Sequence, residues 1–443
     1  MKHIVIWISF SISLLSYSQD SSHFSIDEAV NYALENHLTI KKSNLELEKA
    51  LQQKKETQGI GLPQINAEGS FNHFPNLPVQ VLSASFFNPF APEDEIIAFR
   101  AGTKFNANAV LQINQLLFNG SYIVGLEFSK FLIDIQNALI EKTQVEVCYQ
   151  VKLAYQASVV AKENLVFLDS MLFLTNKTYQ QQNELVSLGL LNKEELHQVE
   201  FLVSSAKSRL QSAQIQYKNS LLALKIAMFY PLDKDLFLTE DMQSITTRHL
   251  LPKGSIEYNI DLKILKNQEQ LTKYDIKNNI AVKLPSFSAS FQHAYNAYRN
   301  NFDFFADKPW YPQTIWGVKM GIPIYSGGQK NAKIQQSKIE LLKNQNDTKL
   351  LEYNLNAQEI QIKRNYQNAL INLELQEKSI ELAQKIYSNS LIKKNIGVTN
   401  NLIITQQYNQ LISAKTNHNI AYLDVLRTQI NLEKLYNQIL DKK

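Results

Sequence analysis

Two pairs of short segments in this chain alternate between apolar and polar residues, which is typical of β-strands with one apolar face. The first pair covers residues 64–74 and 104–114, and the second pair lies within 286–322. The alternation runs over about 10 residues, the length of a strand that crosses a bilayer in a β-barrel. We therefore predict a lipid-facing surface formed by the apolar positions Phe105, Ala107, Ala109, Leu111, Phe287, Phe291, Trp316 and Val318.

Aromatic side chains are concentrated in and around the second strand pair, for example Tyr295, Tyr298, Trp310 and Tyr311. Aromatic rings are favoured where a membrane meets water, so this concentration indicates an aromatic girdle. The same rings could instead pack an ordinary soluble sheet. The sequence alone leaves both interpretations open.

Very long segments without glycine or proline follow each strand pair, and they predict helices. The first pair of helices covers 121–188 and 190–230, and the second pair covers 329–396 and 398–440. At 1.5 Å per residue, the longest of them would reach on the order of 100 Å. Gly189 and Gly397 interrupt the two runs at equivalent places, so each run is predicted to be a helical hairpin with a glycine at its tip.

The two halves of the chain repeat the same order of elements, which indicates an internal duplication. We place a signal peptide at 1–18, because a short basic start and an apolar stretch precede a small-residue cleavage site. The first repeat is 19–254: a helix, a strand pair with a surface loop at 75–102, a hairpin at 121–230 and a linker at 231–254. The second repeat is 255–443: a helix, the strand pair 286–322 and the hairpin 329–440.

The start of the first repeat carries a capping box. Ser25 and Glu28 have the spacing at which each side chain accepts from the other residue's backbone N–H. We predict a helix from Ile26 to Gln58. The single cysteine, Cys148, lies within a predicted helix and cannot form an internal disulfide, so it is expected to be a small buried side chain.

Charge and motif content argue against other classes of protein. The net charge is only +4, so the chain lacks the excess of positive charge that is typical of nucleic-acid-binding proteins. The eight histidines carry no metal-binding HExxH pattern, and neither a Walker loop nor a nucleophile elbow occurs. We therefore expect no enzymatic activity, no cofactor and no metal site. After the signal peptide, no stretch of about 18 apolar residues predicts a transmembrane helix.

Four strands cannot close a useful barrel, and an open sheet in lipid would leave two edges with unpaired backbone groups. Three chains would supply twelve strands, enough for a barrel with a lumen. If the strands lie in a membrane, the need to pair the backbone groups of both edge strands predicts a homotrimer. Its water-filled interior would be lined by the polar positions of the strands, Asn66, Glu68, Asn108, Gln112, Ser288 and Gln292.

The chain resembles the TolC-like outer-membrane efflux proteins over nearly its whole mature length. The resemblance rests on the opening helix from Phe24 to Asn36, the 61–65 turn, the 322–328 segment and the two hairpin glycines. It implies a trimeric, 12-stranded membrane β-barrel continued by a periplasmic α-helical coiled-coil tunnel. It also implies an outer-membrane exit duct of a tripartite efflux or type I secretion system, working with a periplasmic adaptor and an inner-membrane pump.

The resemblance further implies functional residues at the hairpin tips. A hydrophobic–Gly–hydrophobic motif meets the adaptor in this family, and the matching positions are Leu188, Gly189, Leu190, Ile396, Gly397 and Val398. The family often narrows the periplasmic aperture with carboxylates six residues after each glycine. The candidate aperture residues here are Glu194, Glu195, Thr399 and Ile403.

Two of these aperture positions depart from the family pattern. Ile403 stands where a second carboxylate is expected, and Thr399 stands where a basic residue would be. An ionic contact between the two hairpins therefore has no expected basic partner. Glu194 and Glu195 could equally be first-turn acids favoured by the helix dipole.

One function of a different class is compatible with the helices alone. A soluble periplasmic coiled-coil scaffold or adaptor would explain the long hairpins but not four alternating strands arranged as two pairs. Within the channel interpretation, drug efflux and protein secretion are not distinguished, because a polar lumen is generic.

Overall fold

The computed structural model describes residues 23–440, apart from 88, 93 and 247–251. The predicted signal peptide at 1–18 and part of the predicted linker lie outside the described residues. The helices are α1 Ile26–Asn36, α2 Leu38–Ile60, α3 Gly120–Ser187, α4 Lys193–Met228, α5 Met242–Thr246, α6 Ile260–Ala281, α7 Gln329–Asn395 and α8 Asn401–Leu435. The strands are β1 His23–Phe24, β2 Gln64–His73, β3 Val79–Ser83, β4 Ile96–Arg100, β5 Phe105–Phe118, β6 Phe237–Leu238, β7 Ser286–Arg299 and β8 Tyr311–Gly321.

The chain forms two compact units, and each draws on both predicted repeats. The helical unit comprises residues 23–43, 140–260 and 352–440, and the sheet unit comprises 44–139 and 261–351, within the described residues. In the helical unit, β1 pairs in parallel with β6. Two apolar clusters fill its core, and their fully or almost fully buried members include Ala33, Val151, Leu224, Leu426, Met171, Ala206 and Leu411.

The first helix begins as predicted but ends earlier. The Ser25 Oγ accepts from the Glu28 N–H at 3.3 Å, and the Ser25 N–H donates to a Glu28 carboxylate oxygen at 2.7 Å, so the capping box is confirmed. The prediction of a single helix to Gln58 is wrong, because His37 adopts an extended conformation between α1 and α2. The His37 Nδ1 accepts from the Thr39 N–H at 3.2 Å and so begins the second helix, a capping role that periodicity does not reveal.

The equivalent helix ends in the two halves share one geometry. Gly189 and Gly397 are 208 residues apart, and so are Phe229 and Asn437. All four have positive φ, between 57° and 77°. In each case two backbone N–H groups donate to carbonyls of the preceding turn, at 2.8–3.1 Å. This pairing is the Schellman motif, and its recurrence at one offset supports the internal duplication.

The sheet unit contains a four-stranded antiparallel sheet in the order β2-β5-β7-β8. The strands occupy the predicted segments, but β5 extends further, to Phe118. Residues 75–102, predicted as a surface loop, contain a two-stranded ribbon in which β3 pairs with β4. These strands are five residues long, and no alternation in this part of the chain is long enough to identify them.

Cys148 lies in the core of the helical unit, as expected. Burial raises the pKa of its thiol to about 11, against a smaller lowering by the nearby Lys152 ammonium. The thiolate is the reactive form, and its fraction becomes large only as the pH approaches that value. At pH 8 we expect the native protein to resist alkylation and the denatured protein to react completely, as measured by intact mass. Rapid alkylation of the native protein would contradict this burial.

Candidate functional site

The strand register places all eight predicted lipid-facing residues on one face of the sheet. Residues directly opposite in adjacent antiparallel strands share a face. Leu111 pairs with His293, Ile113 with Phe291, and Phe291 with Trp316. Since side chains alternate along each strand, the predicted positions of β5, β7 and β8 all lie on this face.

The apolar face also carries polar residues that the sequence analysis did not place there. His293 and Thr314 lie opposite each other in the middle of β7 and β8, and their side chains are 2.7 Å apart, within hydrogen-bond distance. Arg299 lies on the same face at the end of β7. Their position follows from the alternation along β7 and β8, since His293 lies two residues after Phe291 and Thr314 lies two residues before Trp316.

The opposite face of the sheet is polar. All six residues predicted to line a lumen lie on it, because Asn66 pairs with Gln112, Gln112 with Gln292, and Asn108 with Asn296. The Asn108 amide donates to the Asn296 side-chain oxygen at 2.6 Å. The sheet therefore has one face suited to lipid and one suited to water.

Both outer strands of the sheet have an open edge. Within the described residues, β2 pairs only with β5, and β8 pairs only with β7. An open edge presents a row of backbone N–H and C=O groups ready to pair with another strand. In the same part of the chain, no helix has an apolar stretch long enough to cross a membrane.

The two hairpin tips expose apolar side chains around a glycine. Gly189 and Gly397 adopt φ of 74° and 77°, a conformation that residues with a Cβ rarely adopt. The side chains on either side of each glycine are 68–72% exposed, namely Leu188, Leu190, Ile396 and Val398. Asn192 and Asn400 then cap the helices that leave the two tips. The six predicted docking residues therefore form two similar exposed turns.

The predicted aperture residues have different environments. Glu194 lies in the first turn of α4, where its backbone N–H donates to the Asn192 side chain. This position agrees with the alternative of an acid favoured by the helix dipole. Ile403 is partly exposed in the first turn of α8, and Thr399 lies in the loop before it.

Glu195 makes the contact that the sequence analysis left without a partner. Its carboxylate forms an ion pair with Lys394, whose side chain is 13% exposed. Lys394 lies three residues before Gly397, on the second hairpin, whereas the sequence analysis looked for a basic residue after that glycine. The two hairpins are therefore joined by an ionic contact whose basic partner lies at a position that the family pattern does not indicate. The pair Lys393–Lys394 at the end of α7 was the available signal, since basic residues are favoured there.

A buried amide pair extends this contact. The side chains of Asn401 and Gln182 exchange two hydrogen bonds, at 2.8 and 2.9 Å. The Asn401 amide also donates to the Glu195 backbone carbonyl at 2.8 Å. Buried amides bound in this way are costly to separate. We call Gln182, Glu195, Lys394 and Asn401 the tip network, and it joins α3 and α4 to α7 and α8.

Within the described residues, no group of three or more His, Cys, Asp and Glu side chains could hold a metal ion. The candidate site therefore consists of surfaces: a two-faced sheet with open edges, and two hairpin tips joined by a polar network.

Comparison with known proteins relates the second half of the chain to one family. Residues 251–438, most of the second repeat, match the model of the outer membrane efflux protein family. Members of this family are outer-membrane channels rather than enzymes. The match supports the channel interpretation over a soluble scaffold.

Solved structures have the same fold. CusC is 15% identical, with a TM-score of 0.73 over 93% of this chain and 91% of that chain. The open-state MtrE outer membrane channel of Neisseria gonorrhoeae is 15% identical, with a TM-score of 0.72 over 94% and 90%. VceC of Vibrio cholerae is 12% identical, with a TM-score of 0.68 over 93% and 96%. No curated protein sequence matches the chain.

Proposed function

We propose that this chain is an outer membrane efflux channel, a homotrimer that forms a 12-stranded barrel and passively conducts substrates to the exterior. The observation that carries the proposal is the four-stranded sheet with two open edges. In lipid, unpaired backbone groups cost several kcal/mol each, so the edges need partners. Pairing β8 of one copy with β2 of the next satisfies both edges in a closed ring. The polar face then lines the lumen.

The hairpin tips are proposed to dock a periplasmic adaptor, which connects the channel to an inner-membrane pump. Exposed apolar side chains beside each tip glycine offer contact area to a partner. The pump supplies the energy for transport in this proposal, and the channel supplies the path. The substrate classes are drug-like molecules for an efflux system and polypeptides for a type I secretion system.

We further propose that the tip network holds the periplasmic aperture in its narrow state. The network joins the two hairpins of one chain, so the aperture can widen only when these contacts separate or move. Replacing Lys394 with methionine removes the ion pair and leaves Glu195 without its charged partner, a loss of about 1–3 kcal/mol. We expect Lys394→Met to raise the single-channel conductance severalfold in planar lipid bilayers.

Lys393→Met is the matched control, because Lys393 is the exposed neighbour on the same helix end. It removes the same charge and should leave the conductance unchanged. Equal conductance of the wild type and Lys394→Met would refute the role of the network. Failure to form any channel would instead count against the trimeric barrel.

A further inference from the structure

The loop between β7 and β8 is fixed to its own sheet by a buried arginine. Arg299, 6% exposed, ends β7 and forms an ion pair with Asp303 at 3.5 Å. Its guanidinium also donates to the backbone carbonyls of Tyr298 and Pro309, each at 3.0 Å. Lys308 forms a second ion pair with Asp303. We call residues 300–310 the 300–310 loop. These charged contacts hold its beginning and its end together.

This loop does not stay above the strands that it connects. The ring of Phe302 lies 6.0 Å from that of Phe105 on β5 and 5.7 Å from that of Phe71 on β2. Phe304 lies 5.5 Å from Phe71 as well. In the sheet β5 lies next to β7, and β2 lies next to β5, so the loop spans two strand spacings, about 10 Å, to reach the edge strand.

The loop crosses on the apolar face of the sheet. Phe71 pairs with Ala107, a residue of the predicted lipid-facing set, and Phe105 belongs to that set itself. In the described residues no strand lies beyond β2. The residue after Phe304 is Phe305, whose side chain is 96% exposed. A fully exposed aromatic ring therefore directly follows the residue that contacts the edge strand.

We propose that the 300–310 loop spans the seam between two copies of this chain, with Phe305 packed on the outward face of β8 of the second copy. The inference rests on the proposed trimer, in which the edge of β2 meets β8 of the next copy. The outward face of β8 offers apolar surface at Pro312, Trp316 and Val318. Each seam between two copies is then stabilised by the backbone hydrogen bonds between β2 and β8 and by this loop on the outward face.

A second copy suits the loop better than lipid does. A ring that enters lipid would be buried equally well in any direction away from the sheet. This loop is instead held by Arg299 and by two aromatic contacts in a path that leads to the edge strand. Packing the exposed ring of Phe305 against β8 of a second copy removes its apolar surface from water at the seam itself.

Cysteine cross-linking of the intact channel tests the contact. Phe305→Cys is combined with Pro312→Cys or with Thr314→Cys, which both lie on the outward face of β8. Treatment with a short bifunctional maleimide should give covalent dimers and trimers on a denaturing gel. Gln313→Cys is the matched control, because it lies between these two residues and points to the opposite face. With Phe305→Cys it should give monomers only.

The outcomes separate the inference from the proposed function. Trimers that yield no covalent dimer with either outward pair would overturn the inference and leave the trimer intact. If a dye at Phe305→Cys is also quenched by brominated lipid in such trimers, the occupant is lipid. Absence of trimers on a native gel would reject the proposed function itself.

A substitution gives an independent measurement. Phe305→Ser should lower the temperature at which the trimer dissociates in detergent, because it removes the packed ring. Phe86→Ser is the control, since Phe86 is a similarly exposed phenylalanine (76%) in the other loop of the sheet unit. An equal shift for both variants, or none for Phe305→Ser, would contradict the inference.

Discussion

Leu111→Arg is expected to leave the protein outside the outer membrane. Leu111 lies near the middle of β5 on the apolar face, beside Ala67 and His293. An arginine on the lipid-facing side of a barrel costs about 2–4 kcal/mol at the bilayer midplane, and a trimer carries this cost three times. We expect Leu111→Arg to accumulate in a form that urea extracts from membranes, and Ala109→Arg to behave similarly.

The neighbouring residue provides the control for this prediction. Val110 points to the opposite face of β5, where it pairs with Glu68. In the proposed barrel an arginine there lies in water, opposite a carboxylate. Val110→Arg should therefore insert normally and remain in the urea-resistant fraction. If Leu111→Arg and Val110→Arg insert equally well, the assignment of the two faces to lipid and lumen is wrong.

Gly189→Leu and Gly397→Leu are expected to abolish export while the channel still assembles. Nothing lies within 4 Å of the place where a Cβ would be at either glycine, so the first atom of a larger side chain has open space around it. Both positions have positive φ, which costs a residue with a Cβ about 1–2 kcal/mol. The new side chain would occupy the surface proposed for the adaptor. Export of a reporter substrate should fall to the level of a strain without the channel.

Gly102→Leu separates docking from backbone strain. Gly102 also has positive φ and an open space around it, but it lies in the sheet unit. It should bear a comparable strain and leave export intact. Loss of trimers in Gly189→Leu would mean that the tip is needed for folding, and normal export would exclude it as a docking surface.

The alternation of apolar and polar residues correctly predicted which side chains share a face of the sheet, because it is a local property of each strand. Phe105, Ala107, Ala109 and Leu111 share a face whatever strand lies next to them. The helix ends were predicted within a few residues because glycine breaks uniform helical runs. Where a short-range signal was absent, the prediction was wrong: His37 divides the first helix, and the β3–β4 ribbon occupies the predicted loop.

Contacts between distant parts of the sequence could not be predicted. Glu195 and Lys394 are 199 residues apart, and Asn401 lies 219 residues from Gln182. Neither the pattern nor the spacing of these residues indicates their pairing. The same is true of the pairing of His293 with Leu111, which depends on the register between strands of the two halves.

The residues of the tip network also determine the symmetry of the proposed aperture. A trimer of a duplicated chain has six hairpins, which would be nearly equivalent if the two repeats were alike. However, at the 208-residue offset Glu195 corresponds to Ile403, Lys394 to Val186, and Asn401 to Lys193. The polar contact therefore exists once per chain and not twice, so the ring has threefold rather than sixfold character. At the alternate junctions these positions hold Ile403, Val186 and Lys193, which cannot form the same contact. An opening movement that separates the network would therefore act at three of the six junctions, those within each chain.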